Sequence, residues 1–140
     1  MMNDFYEDCS PSEEEPYMCE QQRSYFRVHL IRWKNILTDE SRRCHTALHQ
    51  ENSRVPDIID QVTENTSRNI AYINGQRSLL IIRQIDAALE RIEDGSYGYC
   101  LQSDEEIGVR RLLAWPIATL SLEAQEELES RHGYQQRVAV

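Results

Sequence analysis

The stretch FRVHLIRWKNIL (residues 26–37), continued by TDESRRCHTALHQ (38–50) and interrupted at VPDIID (55–60), decides the fold. Phe26, Leu30, Trp33, Leu37, Cys44 and Leu48 recur at steps of 4, 3, 4, 7 and 4, which is a heptad seam. No Gly or Pro interrupts it, so the spacing predicts a helix from about Cys19 to Ser53. The break comes at Val55-Pro56, because the residue before a proline is steered away from the helical region. Asp57 then stands where an N-cap belongs, with a carboxylate suited to unpaired backbone N–H groups.

A second helical stretch is expected from about Ile58 to Glu93. Ile70, Ile73, Leu80, Ile81, Ile85, Ala88, Leu89 and Ile92 supply its apolar face, and Asp94-Gly95 is a stop signal. Its middle, Thr63 to Gln76, is polar and contains Gly75, which weakens a helix. Two such helices joined by a short turn make a mainly α antiparallel coiled-coil hairpin. At ~1.5 Å rise per residue its arms are on the order of 50 Å long.

Outward from the hairpin (residues 17–95, tip near 55–62) lie two other segments. Residues 1–16 carry Glu13-Glu14-Glu15, Pro11 and Pro16 and read as a flexible acidic tail, although Phe5, Tyr6 and Tyr17 leave open some packing against the body. Residues 96–140 read as a small globule. In it, Tyr97 to Cys100 and Val109 to Trp115 are candidate short strands, and Ser121 is the N-cap of a last helix from Leu122 to about His132.

Composition narrows the function. The formal net charge is −9, which weighs against direct DNA or RNA binding. The cations are arginines except for Lys34. No stretch approaches the ~18 apolar residues of a membrane span, and Met1 to Glu20 lacks the apolar core of a signal peptide, so a cytoplasmic protein is expected. Cys9, Cys19, Cys44 and Cys100 form no Cys-x-x-Cys pair, so neither a disulfide framework nor a zinc knuckle is implied. Cys44, His45 and His49 share a helix, but Cys44 lies on the apolar seam and no fourth ligand is near in sequence, so no metal is expected there. There is no Walker loop, Gly-x-Ser-x-Gly or His-Glu-x-x-His, and no enzyme is expected.

Asp94-Gly95-Ser96-Tyr97-Gly98-Tyr99-Cys100, then Glu106-Ile107-Gly108-Val109-Arg110-Arg111-Leu112 and Pro116, resembles the zinc-finger region of the DksA/TraR family. Val55-Pro56-Asp57-Ile58-Ile59-Asp60 resembles that family's turn between its two long helices, and Tyr17-Met18 sits where its folded part begins. The likeness runs over about residues 17 to 132. It implies a bacterial transcription regulator that inserts its coiled-coil tip into the secondary channel of RNA polymerase and changes promoter-complex lifetime. It also implies a monomer, without sequence-specific DNA binding or membrane association.

The resemblance assigns the tip to Asp57, Asp60 and Val62, with Val62 where the family has alanine, and a polymerase-facing position to Asn74. Family basic positions near the alarmone ppGpp fall on Arg77, Gln84 and Gln125, so a weakened response to ppGpp is expected. The four finger cysteines fall on Cys100, Ser103, Ser121 and Ala124. One thiol, two hydroxyls and a methyl cannot hold zinc, so the chain looks like a zinc-less member. Leu112, Leu113, Trp115, Ile117 and Leu120 are the expected replacement core. Two other readings share the hairpin: an adaptor that lost the channel function, and a Gre-type transcript-cleavage factor.

Overall fold

The computed structural model describes residues 10–50 and 57–138, without the side chains of 48–50, 58–59 and 134–138. Phe5, Tyr6 and Cys9, and the break at Val55-Pro56, lie outside the described residues. Four helices follow in order: α1 (Glu20–Gln50), α2 (Ile58–Asp94), α3 (Val109–Ala114) and α4 (Leu122–Val138). The chain divides into two compact units, one of residues up to Val28 together with Ala88 onward, the other of His29–Ala87.

The His29–Ala87 unit consists of α1 and α2 segments. Lys34 Nζ meets Asp86 Oδ1 at 2.6 Å, and Leu37 and Cys44 line one groove with Ile81 and Asn74. Positions that rise along one helix fall along the other, so the pair is antiparallel. Leu30 and Ile85 are fully buried. Beyond them Trp33 and Leu37 are only partly covered and Cys44 is exposed, although all three belong to the seam. Packing thins because the facing residues of α2 become Ser78, Gly75 and Asn74 instead of large apolar ones.

Three residues expected on the packed face of α2 are not there: Ile70, Ile73 and Leu80 are exposed, whereas Ile85, Ala88 and Ile92 are buried. A helix turns about 100° per residue, so Ile73 and Leu80 fall about a third of a turn from Ile85 and miss the seam. Ile70 lies nearer the seam, but at its level little remains for it to pack against.

In the other unit the core is Phe26, Ala88, Ile92, Tyr97, Ile107, Leu112 and Ile117. The rings of Phe26 and Tyr97 meet in a tilted arrangement with centroids 5.6 Å apart. Gly95, at φ 86°, ends α2, and its N–H bonds to Arg91 O at 3.0 Å.

The two strands expected here are absent. Residues 97–100 form turns with one isolated bridge, Tyr99 to Glu106, and 109–114 is α3. Val109 and Leu112 are its buried residues, and their separation of three is helical rather than alternating. Trp115, expected in the core, is 48% exposed, and Leu113 is exposed as well. Tyr97 and Phe26 occupy the interior instead. α4 begins as expected, with Ala124 N–H bonded to Ser121 Oγ at 3.3 Å, and continues past His132 to Val138.

The acidic N-terminal segment packs where it is described. Pro11 is buried, and buried Gln22 donates to Ser12 O at 3.0 Å while its Oε1 accepts from Met18 N at 2.9 Å. Met18 holds φ 51° and lies against Gly98, itself at φ 91°.

Two glycines should therefore respond oppositely to alanine. A Cβ on Gly75 meets nothing within 4 Å, so Gly75→Ala should stabilise by about 0.5–1 kcal/mol. A Cβ on Gly98 would lie 2.8 Å from Met18 Cγ in a left-handed conformation, so Gly98→Ala should destabilise by roughly 1–3 kcal/mol. Urea unfolding of both variants checks the pair of signs.

Candidate functional site

The start of α2 presents two acids. Asp57 O accepts from Gln61 N at 2.9 Å, which places Asp57 at the N-cap backbone position. Asp60 follows in the first turn, where a carboxylate opposes the positive end of the helix dipole. Asp57, Asp60 and Val62 are all exposed, and residues three apart share a helix face.

Asn74 and Arg77 come together on a groove between the two helices, with a volume of about 500 Å³, beside Leu37, Cys44, Gly75 and Ile81. Gly75 and the small side chains around it leave this space unfilled. Arg77 is exposed and makes no ion pair among the described residues. Gln84 is also exposed on α2. Gln125 belongs to the other unit, on α4, where its Nε2 donates to Glu129 Oε1 at 2.6 Å. Cys44 and His45 are exposed, and the side chain of His49 lies outside the described residues. Among the described residues no cluster of three or more His, Cys, Asp or Glu could hold a metal.

The degenerate finger positions do gather in one place. Cys100, Ser121 and Ala124 are buried, and Ser103 is exposed beside them. Burial alone would push the Cys100 thiol up. The Ser103 hydroxyl and the backbone N–H groups of Ser121, Ser103 and Gln102 outweigh it and lower the thiol from 9.0 to about 6. Ser121 Oγ is turned to Ala124 N, capping α4. The donor set of one thiol, two hydroxyls and a methyl does not fit a tetrahedral zinc ion. Hydrogen bonds to one sulfur, and the α4 cap, connect the two loops that a metal would join.

The same frame is tied from outside by Tyr17, a contact the sequence reading did not foresee. Its hydroxyl donates to Gly98 O at 2.5 Å and accepts from Gly108 N at 3.1 Å. Burial raises the Tyr17 hydroxyl above its ordinary value, which keeps it protonated for that donation. Tyr97, fully buried, donates to Pro116 O at 2.7 Å, and burial raises its hydroxyl strongly. The signal available for Tyr17 was its place beside Met18, just before α1.

Among the described residues, no helix is long and apolar enough to cross a membrane. Residues 22–92 match the family model described as DnaK suppressor protein DksA, N-terminal domain. The chain is 43% identical over 124 residues to the RNA polymerase-binding transcription factor DksA of Caulobacter vibrioides (strain NA1000 / CB15N), covering 89% of this chain and 87% of that protein. It is 35% identical over 124 residues to the protein of the same name from Escherichia coli (strain K12), covering 86% and 82%. Among solved structures it resembles transcription factor DksA2 from Pseudomonas aeruginosa, with TM-score 0.78 and 33% identity over 85% of this chain and 94% of that one.

The sulfur's environment predicts a pH dependence of stability. A thiol whose folded pKa lies below its unfolded value stabilises the fold fully above the unfolded value, and that contribution is lost as pH falls through the folded one. Melting curves of the wild type and Cys100→Ala between pH 9 and pH 6 should show the wild type losing its advantage toward pH 6. A constant difference across that window would contradict the hydrogen-bonded thiolate.

Proposed function

The chain belongs to the DksA family, and on that premise we propose that it binds bacterial RNA polymerase as a regulator of transcription, acting through the tip at the start of α2 in the secondary channel. The observation that carries this reading is the pair Asp57 and Asp60, both exposed at the first turn of α2, on a chain similar to DksA proteins over most of its length. A small anionic tip can engage basic or mobile elements in a narrow channel and shift the lifetime of promoter complexes without reading a DNA sequence. A net charge of −9 supports a protein partner over nucleic acid. The chain then acts as a cytoplasmic monomer and regulator with no chemistry of its own.

Zinc is not required in this reading. The hydrogen bonds around Cys100 and the packing of Tyr97, Leu112 and Ile117 take its structural place. The response to ppGpp is proposed to be weak, because Gln84 and Gln125 offer neutral amides where a polyphosphate favours cations. Val62 at the tip is larger than alanine and β-branched, so the tip contact is more apolar in this chain.

Single-round transcription from a ribosomal RNA promoter, with purified polymerase and after dialysis against a chelator, tests the proposal. Inhibition should survive chelation, change little with ppGpp, and be lost in Asp60→Asn while binding to polymerase persists. Activity indifferent to Asp60→Asn would point to an adaptor instead. Chain-dependent shortening of stalled transcripts would point to a cleavage factor.

A further inference from the structure

We propose that the groove between α1 and α2 is a binding site for a medium-chain aliphatic carboxylate. The inference concerns a small ligand of the free chain and stands independently of the polymerase reading.

The groove is a gap in packing, not a stripe on one helix. Its lining comes from both helices of the His29–Ala87 unit, and most of the lining surface is apolar. A volume of about 500 Å³ falls inside the ~300–1,000 Å³ range of small-molecule sites. The space exists because Gly75 and Ser78 on α2 share it with Ser41 and Cys44 on α1. A Cβ on Gly75 meets nothing within 4 Å, so the gap reaches the α2 backbone.

The groove also has a direction. Lys34 meets Asp86, which sets the register of the antiparallel pair. Leu37 and Ile81 line the end nearer that contact. Nine residues on from Lys34, and nine back from Asp86, Arg43 and Arg77 stand level on facing helices. Both arginines line the groove, both are exposed, and neither has an ion pair among the described residues. Two like charges across a gap repel, and an anion between them relieves that repulsion. Glu40 lines the groove as well and pairs with neither arginine among the described residues. Two arginines against one glutamate leave the lining with a formal charge of +1, in a chain of net charge −9.

That layout selects a ligand with one charged end. Guanidinium groups hold a carboxylate through paired N–H donors. The Leu37 and Ile81 end takes an aliphatic chain. The axial rise from Leu37 to Arg43 is about 9 Å, which an extended chain of roughly eight carbons spans. A polyphosphate carries charge along its whole length, whereas the groove offers cations at one end only.

Isothermal titration of the full chain with octanoate, kept below its micelle concentration, tests the site. One saturable site is expected. Gly75→Leu fills the gap and should weaken binding at least about tenfold, while the melting temperature of the free protein holds or rises. Arg43→Gln with Arg77→Gln should weaken binding about tenfold without changing the melting temperature, because both side chains are exposed and unpaired. Octanol, with the same chain and no carboxylate, should bind at least about tenfold more weakly than octanoate. Arg83→Gln, exposed on α2 outside the groove, should leave binding intact. Absence of a saturable site, unchanged binding in either groove variant, or equal binding of octanol overturns the proposal. An equal loss in Arg83→Gln overturns it too, since that marks general charge attraction. Displacement of octanoate by tripolyphosphate that itself binds Gly75→Leu undiminished would assign the arginines to a polyphosphate instead. If Gly75→Leu melts lower than the wild type, the arginine variant and octanol decide the matter.

Discussion

The unit that contains α3 and α4 depends on the hydrogen bonds that close two loops around Cys100. Cys100 N donates to Glu105 O at 2.8 Å, Asp104 N to Cys100 O at 3.0 Å, and Leu101 N to Thr119 O at 2.9 Å. The sulfur is surrounded by further N–H and hydroxyl donors, so the main chain and one side chain together supply the cross-link. A zinc ion would achieve the same closure with strong ligand bonds and much of the folding energy. Here the closure is spread over many modest hydrogen bonds, each on the order of 1 kcal/mol net.

That arrangement explains why Tyr17 and Met18 are drawn in. The Tyr17 hydroxyl bridges the Gly98 and Gly108 turns and so fixes the distance between them. Met18 then lies on the bare face of Gly98, and its strained backbone is held by the buried Gln22 amide. The exposed Arg110–Glu13 pair in this unit is solvated and adds little.

The hairpin unit divides its residues differently. Close packing is confined to the level of Leu30 and Ile85, where Lys34 and Asp86 also meet. Beyond that level, small residues leave a groove, and apolar residues turn outward. A helix with so few buried contacts can present its face to a partner at little cost to its own packing.

Much of this was legible in the residues. Heptad spacing, the cap position at Asp57 and the Asp94-Gly95 stop set the long helices where they are described, because periodicity and backbone restriction are local properties. Ser121 read correctly as a cap for the same reason. That Cys100, Ser103, Ser121 and Ala124 are a poor donor set for zinc is likewise read from residue types alone. What the sequence could not settle is which apolar residues face inward. Ile73 and Leu80 are as apolar as Ile85, and Trp115 more than Tyr97, yet exposure runs the other way. Only the tertiary structure decides that, because burial depends on what stands opposite each side chain. Opposite the groove on α2 stands little. Around Tyr97 stand Phe26 and Pro116, the first offering its ring and the second a carbonyl for the hydroxyl.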